Sequence, residues 1–128
     1  MILVDAIYIN QSGGAILLQY FIHSILKNQS DYFFLLDRRL NKSIYSNLEK
    51  GRFLLIANNE NSRKKFYRSE NFYYSSILCF ANVPPPVKTK IRTVVFCHNA
   101  LIFSNFFDRN DLTFKSKIFN LIKRLYIA

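Results

Sequence analysis

The sequence predicts a single α/β domain in which a mainly parallel sheet of about five strands carries helices on both faces. Short apolar runs alternate along the chain with polar or helix-forming connections, as repeated strand–helix–strand units require. The clearest unit is the first, with an apolar run at 1–9, a loop ending in two glycines, and a helix-forming stretch at 15–27. The length of 128 residues suffices for one compact domain with a real core, but not for two.

The remaining strands are predicted from short apolar runs that polar, glycine or proline residues interrupt. These runs are 32–36, 52–57, 76–81 and 93–97. The first strand is apolar except for Asp5. No internal repeat or low-complexity tract divides the chain, so one domain over residues 1–128 is expected.

Three helical segments are predicted to connect or follow these strands. The helix at 15–27 is apolar nearly all round, so we expect it to be buried on more than one side, with His23 as a partly buried structural residue. A short basic helix is predicted within 58–71, where the positive residues are expected to form a solvated face: Arg63, Lys64, Lys65 and Arg68. The last helix, 111–127, has one apolar stripe.

Composition narrows the class of partner. Half of the residues are hydrophobic, which argues against disorder, and 18 basic against 8 acidic side chains give a net charge of +10. Such a charge favours an anionic partner, namely nucleic acid, an anionic membrane surface or a phosphorylated substrate. Because the basic residues are scattered and no nucleic-acid-binding motif occurs, nucleic acid is not the expected partner.

The two cysteines and the apolar runs indicate the compartment. Cys79 and Cys97 lie inside apolar runs, so we expect buried thiols on core strands, with neither a metal cluster nor a disulfide. Free thiols are typical of a reducing compartment. No apolar run approaches the roughly 20 residues of a membrane-spanning helix, and no basic region precedes the first run as in a signal peptide. A cytoplasmic location is expected, and contact with the inner face of the membrane is compatible with it.

Three polar segments follow predicted strands, at 10–14, 82–86 and 98–99. Because the carboxyl ends of parallel strands meet at one edge of a sheet, these segments are expected to line one crevice. In the first, Gly13 and Gly14 let the backbone approach a ligand closely, and together with Ser12 they precede a helix whose free N–H groups suit a phosphate. An ordinary turn from strand to helix is the alternative interpretation.

The other two segments would complete the crevice. Asn82, Pro84 and Pro85 belong to a loop that three consecutive prolines make rigid. His98 and Asn99 end the last strand, and His98 is the candidate catalytic residue, as a hydrogen-bond donor or a base. Capping of nearby carbonyls is the alternative role of His98. A site that handles a sugar or a phosphate is the resulting hypothesis.

Several familiar sites are absent from the sequence. It contains no Gly-x-x-x-x-Gly-Lys-Ser/Thr loop, no Gly-x-Gly-x-x-Gly fingerprint and no serine in a nucleophile elbow. Asp37 alone is placed to bind a ribose, and two arginines follow it, so little supports a dinucleotide site. No cysteine and histidine residues have the spacing of metal ligands.

Two segments resemble a known family. VDAIYINQSGGAILLQYFI and ILCFANVPPPVKTKIRTVVFCHNALIF, followed by a basic helix, are similar to the N-terminal half of bacterial glycosyltransferases with the GT-B fold. The likeness is to the retaining family-4 type, which builds capsule and lipopolysaccharide. It covers nearly the whole chain, and its most specific part is CFANVPPP…VVFCHN. Such enzymes have two Rossmann-like domains facing a cleft, the first mostly for the acceptor and the second for the nucleotide-sugar donor.

The resemblance implies a role for each predicted site residue. It places Ser12, Gly13, Gly14 and Asn99 near the donor phosphates and His98 near the transferred sugar, with no metal and no resident cofactor, because the nucleotide sugar is a substrate. The donor-binding half of the family is absent from these 128 residues. We therefore expect a sugar or lipid-linked acceptor and contact with the membrane surface. Either the sequence is a fragment of such an enzyme, or a partner chain supplies the donor-binding half, and little or no activity is expected without that half.

Two other functions are compatible with the same sequence. A basic, non-catalytic binding module would use the charge of +10 to hold an anionic membrane or nucleic acid, with binding that weakens steeply in salt. A scaffold that pairs with another protein would use an exposed apolar helix face instead.

Overall fold

The computed structural model describes residues 1–69 and 73–96. Eight elements lie in these ranges, in the order β1 (Ile2–Ala6), α1 (Ser12–Lys27), β2 (Tyr32–Asp37), α2 (Lys42–Tyr45), β3 (Phe53–Ile56), α3 (Glu60–Tyr67), β4 (Ser76–Cys79) and β5 (Arg92–Val95). The predicted helix at 111–127 lies outside the described residues. The other predicted elements are confirmed, although α1 begins at Ser12, because both glycines are taken into its first turn.

The five strands form one sheet in the order β3-β2-β1-β4-β5, and all four strand pairings are parallel. β1 is the central strand, and its residue Asp5 stands in register with Leu35 of β2 and Cys79 of β4. Helices connect the first four strands in sequence. The fold is therefore α/β and Rossmann-like, as the sequence predicts.

The core has two parts, one on each face of the sheet. Alternate residues of β1 divide between them, since successive side chains of a strand point to opposite faces. Val4 packs in the cluster that contains the buried side of α1, and Leu3 packs in the cluster that contains Tyr67 of α3. The central strands are thus covered on both faces, which explains their nearly continuous apolar sequences.

The outer side of α1 is exposed, contrary to the prediction that this helix is buried on more than one side. It buries Ala15, Leu18, Ile22 and Ile25 against the sheet. Ile16 remains 56% exposed and Tyr20 71%, because no described element packs against that side. His23 is also exposed, so its predicted role as a partly buried structural residue is wrong.

The structure tests two smaller predictions. Cys79 is a free thiol that is completely buried on β4, as expected, whereas Cys97 lies outside the described residues. Among the helices of residues 1–69 and 73–96, none combines the length and the apolar character needed to cross a membrane.

Candidate functional site at the carboxyl edge of the sheet

The strand order reverses between β1 and β4. The chain leaves β1 towards β2 on one side, and it leaves β4 towards β5 on the other. In open α/β sheets, loops that diverge in this way leave a crevice at the carboxyl ends of the two strands. Here residues 7–11 follow β1 and residues 80–91 follow β4. The predicted site residues of these two segments therefore follow neighbouring strands at one edge of the sheet. They are Ser12, Gly13 and Gly14 after β1, and Asn82, Pro84 and Pro85 after β4.

The amino end of α1 has features of a ligand-binding helix start. Gln11 occupies the N-cap position without a capping hydrogen bond from its side chain, and the first turn carries no acidic residue. The first backbone N–H groups of a helix lack partners within the helix and are at its positive end. A Cβ atom added at Gly13 would meet nothing within 4 Å. The open space beside Gly13 is available to a ligand.

Backbone strain is concentrated at the same edge. Four non-glycine residues of the described chain have positive φ, and three of them follow β1 or β4: Tyr8 at 81°, Ser12 at 59° and Asn82 at 60°. Each such conformation costs about 1–3 kcal/mol, and such residues are typical of ligand-binding and active sites. Tyr8 is the bulkiest residue among them, and its positive φ is the least expected of the three.

A buried ion pair connects α3 with β1 and with the loop after β4. Arg63 of α3 donates from Nε to Oδ2 of Asp5 on β1 at 2.9 Å, and its Nη2 lies 2.8 Å from the same oxygen as an ion pair. Nη2 also donates to the backbone carbonyl of Val83, at 3.0 Å. Arg63 and Asp5 are each 1% exposed. The predicted solvated face of α3 is therefore wrong for Arg63, because this arginine compensates the carboxylate that β1 brings into the core.

Tyr67 lies one turn after Arg63 and also binds the Asp5 carboxylate. Its hydroxyl donates to Oδ2 of Asp5 at 2.6 Å, and the Ile7 N–H contacts Oδ1 at 3.4 Å. Burial and the nearby Asp5 charge raise the pKa of Tyr67 well above its usual value. Burial lowers the pKa of Arg63, but the Asp5 charge outweighs it and the pKa is raised. Arg63 and Tyr67 therefore keep their protons and both donate to the Asp5 carboxylate.

Tyr8 covers this network from the β1–α1 loop. The guanidinium carbon of Arg63 lies 5.8 Å from the centre of the Tyr8 ring and 5.7 Å from that of Tyr67, within cation–π range of both. The Tyr8 hydroxyl donates to Oε2 of Glu60 at 3.1 Å. Burial, followed by this hydrogen bond, raises the pKa of Tyr8. One tyrosine therefore links the β1–α1 loop to both Arg63 and the start of α3.

Asp37 ends β2 and is the residue placed for a ribose, but its carboxylate is already engaged. Arg39 donates to it three times, from the backbone N–H at 2.9 Å, from Nε at 3.0 Å and from Nη2 at 2.8 Å. Burial raises the pKa of Asp37, and the hydrogen bonds from Arg39 more than offset this, so its pKa is lowered. A ribose would have to displace a bidentate arginine, which agrees with the lack of a dinucleotide fingerprint.

The predicted segments at 10–14 and 82–86 follow neighbouring parallel strands, as expected, and the sequence did not point to the residues that lie beneath them. His98 and Asn99 lie outside the described residues, so their roles stay predictions. Asp5 and Arg63 were not singled out as site residues, although a lone carboxylate inside an apolar strand signals a buried cationic partner. Within residues 1–69 and 73–96, no group of three His, Cys, Asp or Glu residues could hold a metal ion.

The fold places the chain in the Rossmann-like class of α/β domains, with the strand order reversing between β1 and β4. Comparisons with protein-family models, with curated proteins and with solved structures found no match.

Proposed function

We propose that the chain is the acceptor-side domain of a sugar transferase of surface polysaccharide or lipopolysaccharide assembly. The observation that carries the proposal is the crossover between β1 and β4, where the uncapped start of α1 and the proline loop flank one crevice. A sugar or lipid-linked acceptor would occupy this crevice, with the phosphates of a nucleotide sugar near Gly13 and Gly14. The resemblance of the sequence to family-4 enzymes supports the same assignment.

Transfer would need a donor-binding domain, in the same polypeptide or in a partner chain. Catalysis of a group transfer requires two substrates held in one geometry, and a single crevice supplies one wall of such a site. A donor-binding domain facing the carboxyl edge would supply the other wall. His98, which follows the edge strand β5, is the proposed base or hydrogen-bond donor. The active unit would then be a hexosyltransferase of two domains, and these 128 residues alone would be inactive.

The proposal is tested by adding the donor-binding half of a family-4 enzyme, fused or separate, and measuring sugar transfer. Gly13→Ala is the informative variant, because its Cβ enters open space in the free chain and replaces a helical glycine. Folding should be unaffected or strengthened by up to about 1 kcal/mol, while transfer falls at least about tenfold if a ligand approaches Gly13 closely.

Gly51→Ala is the matched control. Gly51 has φ of 89° and lies before β3, at the amino edge of the sheet, far from the crevice. This substitution should lower the free energy of unfolding by about 1 kcal/mol and leave the KM of the folded protein unchanged. Absence of transfer with every donor half, or a Gly13→Ala protein with full activity, would remove the basis of the proposal.

A binding module for an anionic membrane is the second candidate function. It is favoured by a shallow groove on α3 that is lined by Lys64, Lys65, Arg68 and two uncharged polar residues. Flotation with phosphatidylserine vesicles at 50 and 200 mM salt tests it, with Lys65→Glu as the variant; about 1 kcal/mol of binding is expected per cation at such a surface. Equal binding to neutral phosphatidylcholine vesicles would exclude it.

A further inference from the structure

We propose that Arg63 binds a hydroxyl oxygen of the ligand through Nη1, and that the Tyr8 ring moves aside to admit it. The inference deepens the proposed function and rests on it, because the hydroxyl-rich ligand in the crevice is taken from there. Arg63 would then contact the ligand directly, in addition to joining α3 to β1.

The first observation is a buried donor without a partner. The other hydrogen-bonding nitrogens of the Arg63 guanidinium are used, Nε by Asp5 and Nη2 by Asp5 and Val83. Nη1 is completely buried and has no hydrogen-bond partner. Within the described part of the chain it is the one buried side-chain nitrogen or oxygen in that state. Buried polar groups are nearly always paired, so a donor left over at this place is available to an acceptor atom of a ligand.

The second observation is where this donor lies. The guanidinium contacts Tyr8, which belongs to the loop after β1, and Val83, which belongs to the loop after β4. These are the loops that diverge at the crossover. The donor therefore belongs to a side chain that contacts both loops, and α1 begins four residues after Tyr8.

Charge decides which acceptor fits. The positive charge of Arg63 is balanced by the Asp5 carboxylate at 2.8 Å, and Glu60 adds a second negative charge beside Tyr8. A full anion placed next to Nη1 would meet both carboxylates without an excess of positive charge to offset them. A neutral oxygen that accepts one hydrogen bond avoids that repulsion. A hydroxyl of a sugar or polyol is such a group.

Tyr8 is suited to act as a movable cover. Its ring is partly exposed, its φ of 81° is unfavourable for a bulky side chain, and its hydroxyl is held by the side chain of Glu60 in an exposed hydrogen bond. Moving the ring breaks that bond and one cation–π contact. Tyr67 is held by its own hydrogen bond to Asp5, so the ion pair keeps this contact when Tyr8 moves.

The experiment follows the Arg63 Nε–H signal by NMR in the full chain, assigned by its loss in Arg63→Lys. The probes are the methyl α-glycosides of glucose, galactose and mannose, with inorganic phosphate for comparison. We expect a saturable shift of the Arg63 signal with at least one glycoside and none with phosphate. Arg63→Lys keeps a cation beside Asp5 but lacks Nη1, and it should bind that glycoside about tenfold more weakly.

Tyr8→Phe tests the cover. It keeps the ring and removes only the bond to Glu60, so binding of the same glycoside should become about two- to threefold tighter. A glycoside that shifts the Gly13 and Gly14 amides but not Arg63 would overturn this inference and leave the proposed function standing. If no glycoside shifts any of these signals, the proposed crevice fails together with it. A shift with phosphate alone would overturn the choice of a neutral hydroxyl.

Discussion

The Arg63 guanidinium lies 2.8 Å from the Asp5 carboxylate. Both residues are 1% exposed, and they are 58 positions apart in the chain. Removing two charges from water largely cancels their attraction, so such a pair adds little net stability compared with an apolar pair. Its value is positional, because it sets α3 against β1 and, through Val83, draws in the loop after β4. The four predictions below test this arrangement and the rest of the fold.

Arg63→Met should destabilise the protein strongly. It removes the cation and leaves the Asp5 carboxylate buried without its charge partner, which typically costs about 3–5 kcal/mol in the free energy of unfolding. Urea denaturation followed by circular dichroism measures it. Lys65→Met on the same helix is the control; because Lys65 is exposed, its effect should stay within about 0.5 kcal/mol.

A double variant separates the effect of losing the whole ion pair from the effect of leaving one charge unpaired. Asp5→Leu combined with Arg63→Met replaces the pair by apolar side chains, and the loss of stability should be smaller than for Arg63→Met alone. If the two variants were equally unstable, the uncompensated charge would not be the cause of the loss.

Tyr67→Phe should lower the free energy of unfolding by about 1–3 kcal/mol, because it removes the hydrogen bond of 2.6 Å from the Tyr67 hydroxyl to the buried, charged Asp5 carboxylate and leaves the one from Arg63. The ring stays, so the packing of the core cluster around Tyr67 is retained. Tyr73→Phe is the matched control, since Tyr73 is 80% exposed. Thermal unfolding of the three proteins gives the comparison; indistinguishable midpoints for Tyr67→Phe and the wild type would contradict the hydrogen bond.

Neighbouring leucines of α1 should respond very differently to truncation. Leu18→Ala empties a site that is completely buried under the sheet and should cost about 2–5 kcal/mol. Leu17→Ala affects a side chain that is 43% exposed and should cost less than about 1 kcal/mol. A large effect at Leu17 would mean that the outer side of α1 is covered in the folded protein.

Stability should fall as the pH rises above about 9. Burial, followed by the Asp5 charge, raises the pKa of the Cys79 thiol from its ordinary value of 9.0 to about 12. Between these values the unfolded chain releases the thiol proton and the folded chain keeps it. Folding stability therefore drops by about 1.4 kcal/mol per pH unit for this group, and Tyr67 adds to the slope from about pH 10.

Cys79→Ala isolates the part of the slope that belongs to the thiol. Its stability at pH 8 should be lower because a buried group is lost, but its decline between pH 9 and 11 should be shallower than that of the wild type. Urea midpoints at four pH values provide the test. Parallel curves for the two proteins would show that the thiol does not titrate differently on folding.

The strands and their parallel arrangement were predictable because each is a short apolar run bounded by polar or turn-forming residues. The edge that carries the crevice followed from the same reasoning, since parallel strands end together. Element boundaries were less accurate. The start of α1 at Ser12 was missed because glycines lower helix propensity in a sequence, whereas in the first turn they cost little.

The sequence by itself determined the α/β class, the order of elements to β5 and the polar segments at the carboxyl edge. Only the tertiary structure decided that Arg63 is buried while its neighbour Lys65 is exposed, and that Tyr20 of α1 faces outward. The physical reason is that local patterns report the preferences of one segment. Burial depends on what another segment places opposite, and here β1 places Asp5 opposite α3 and no described element opposite the outer side of α1.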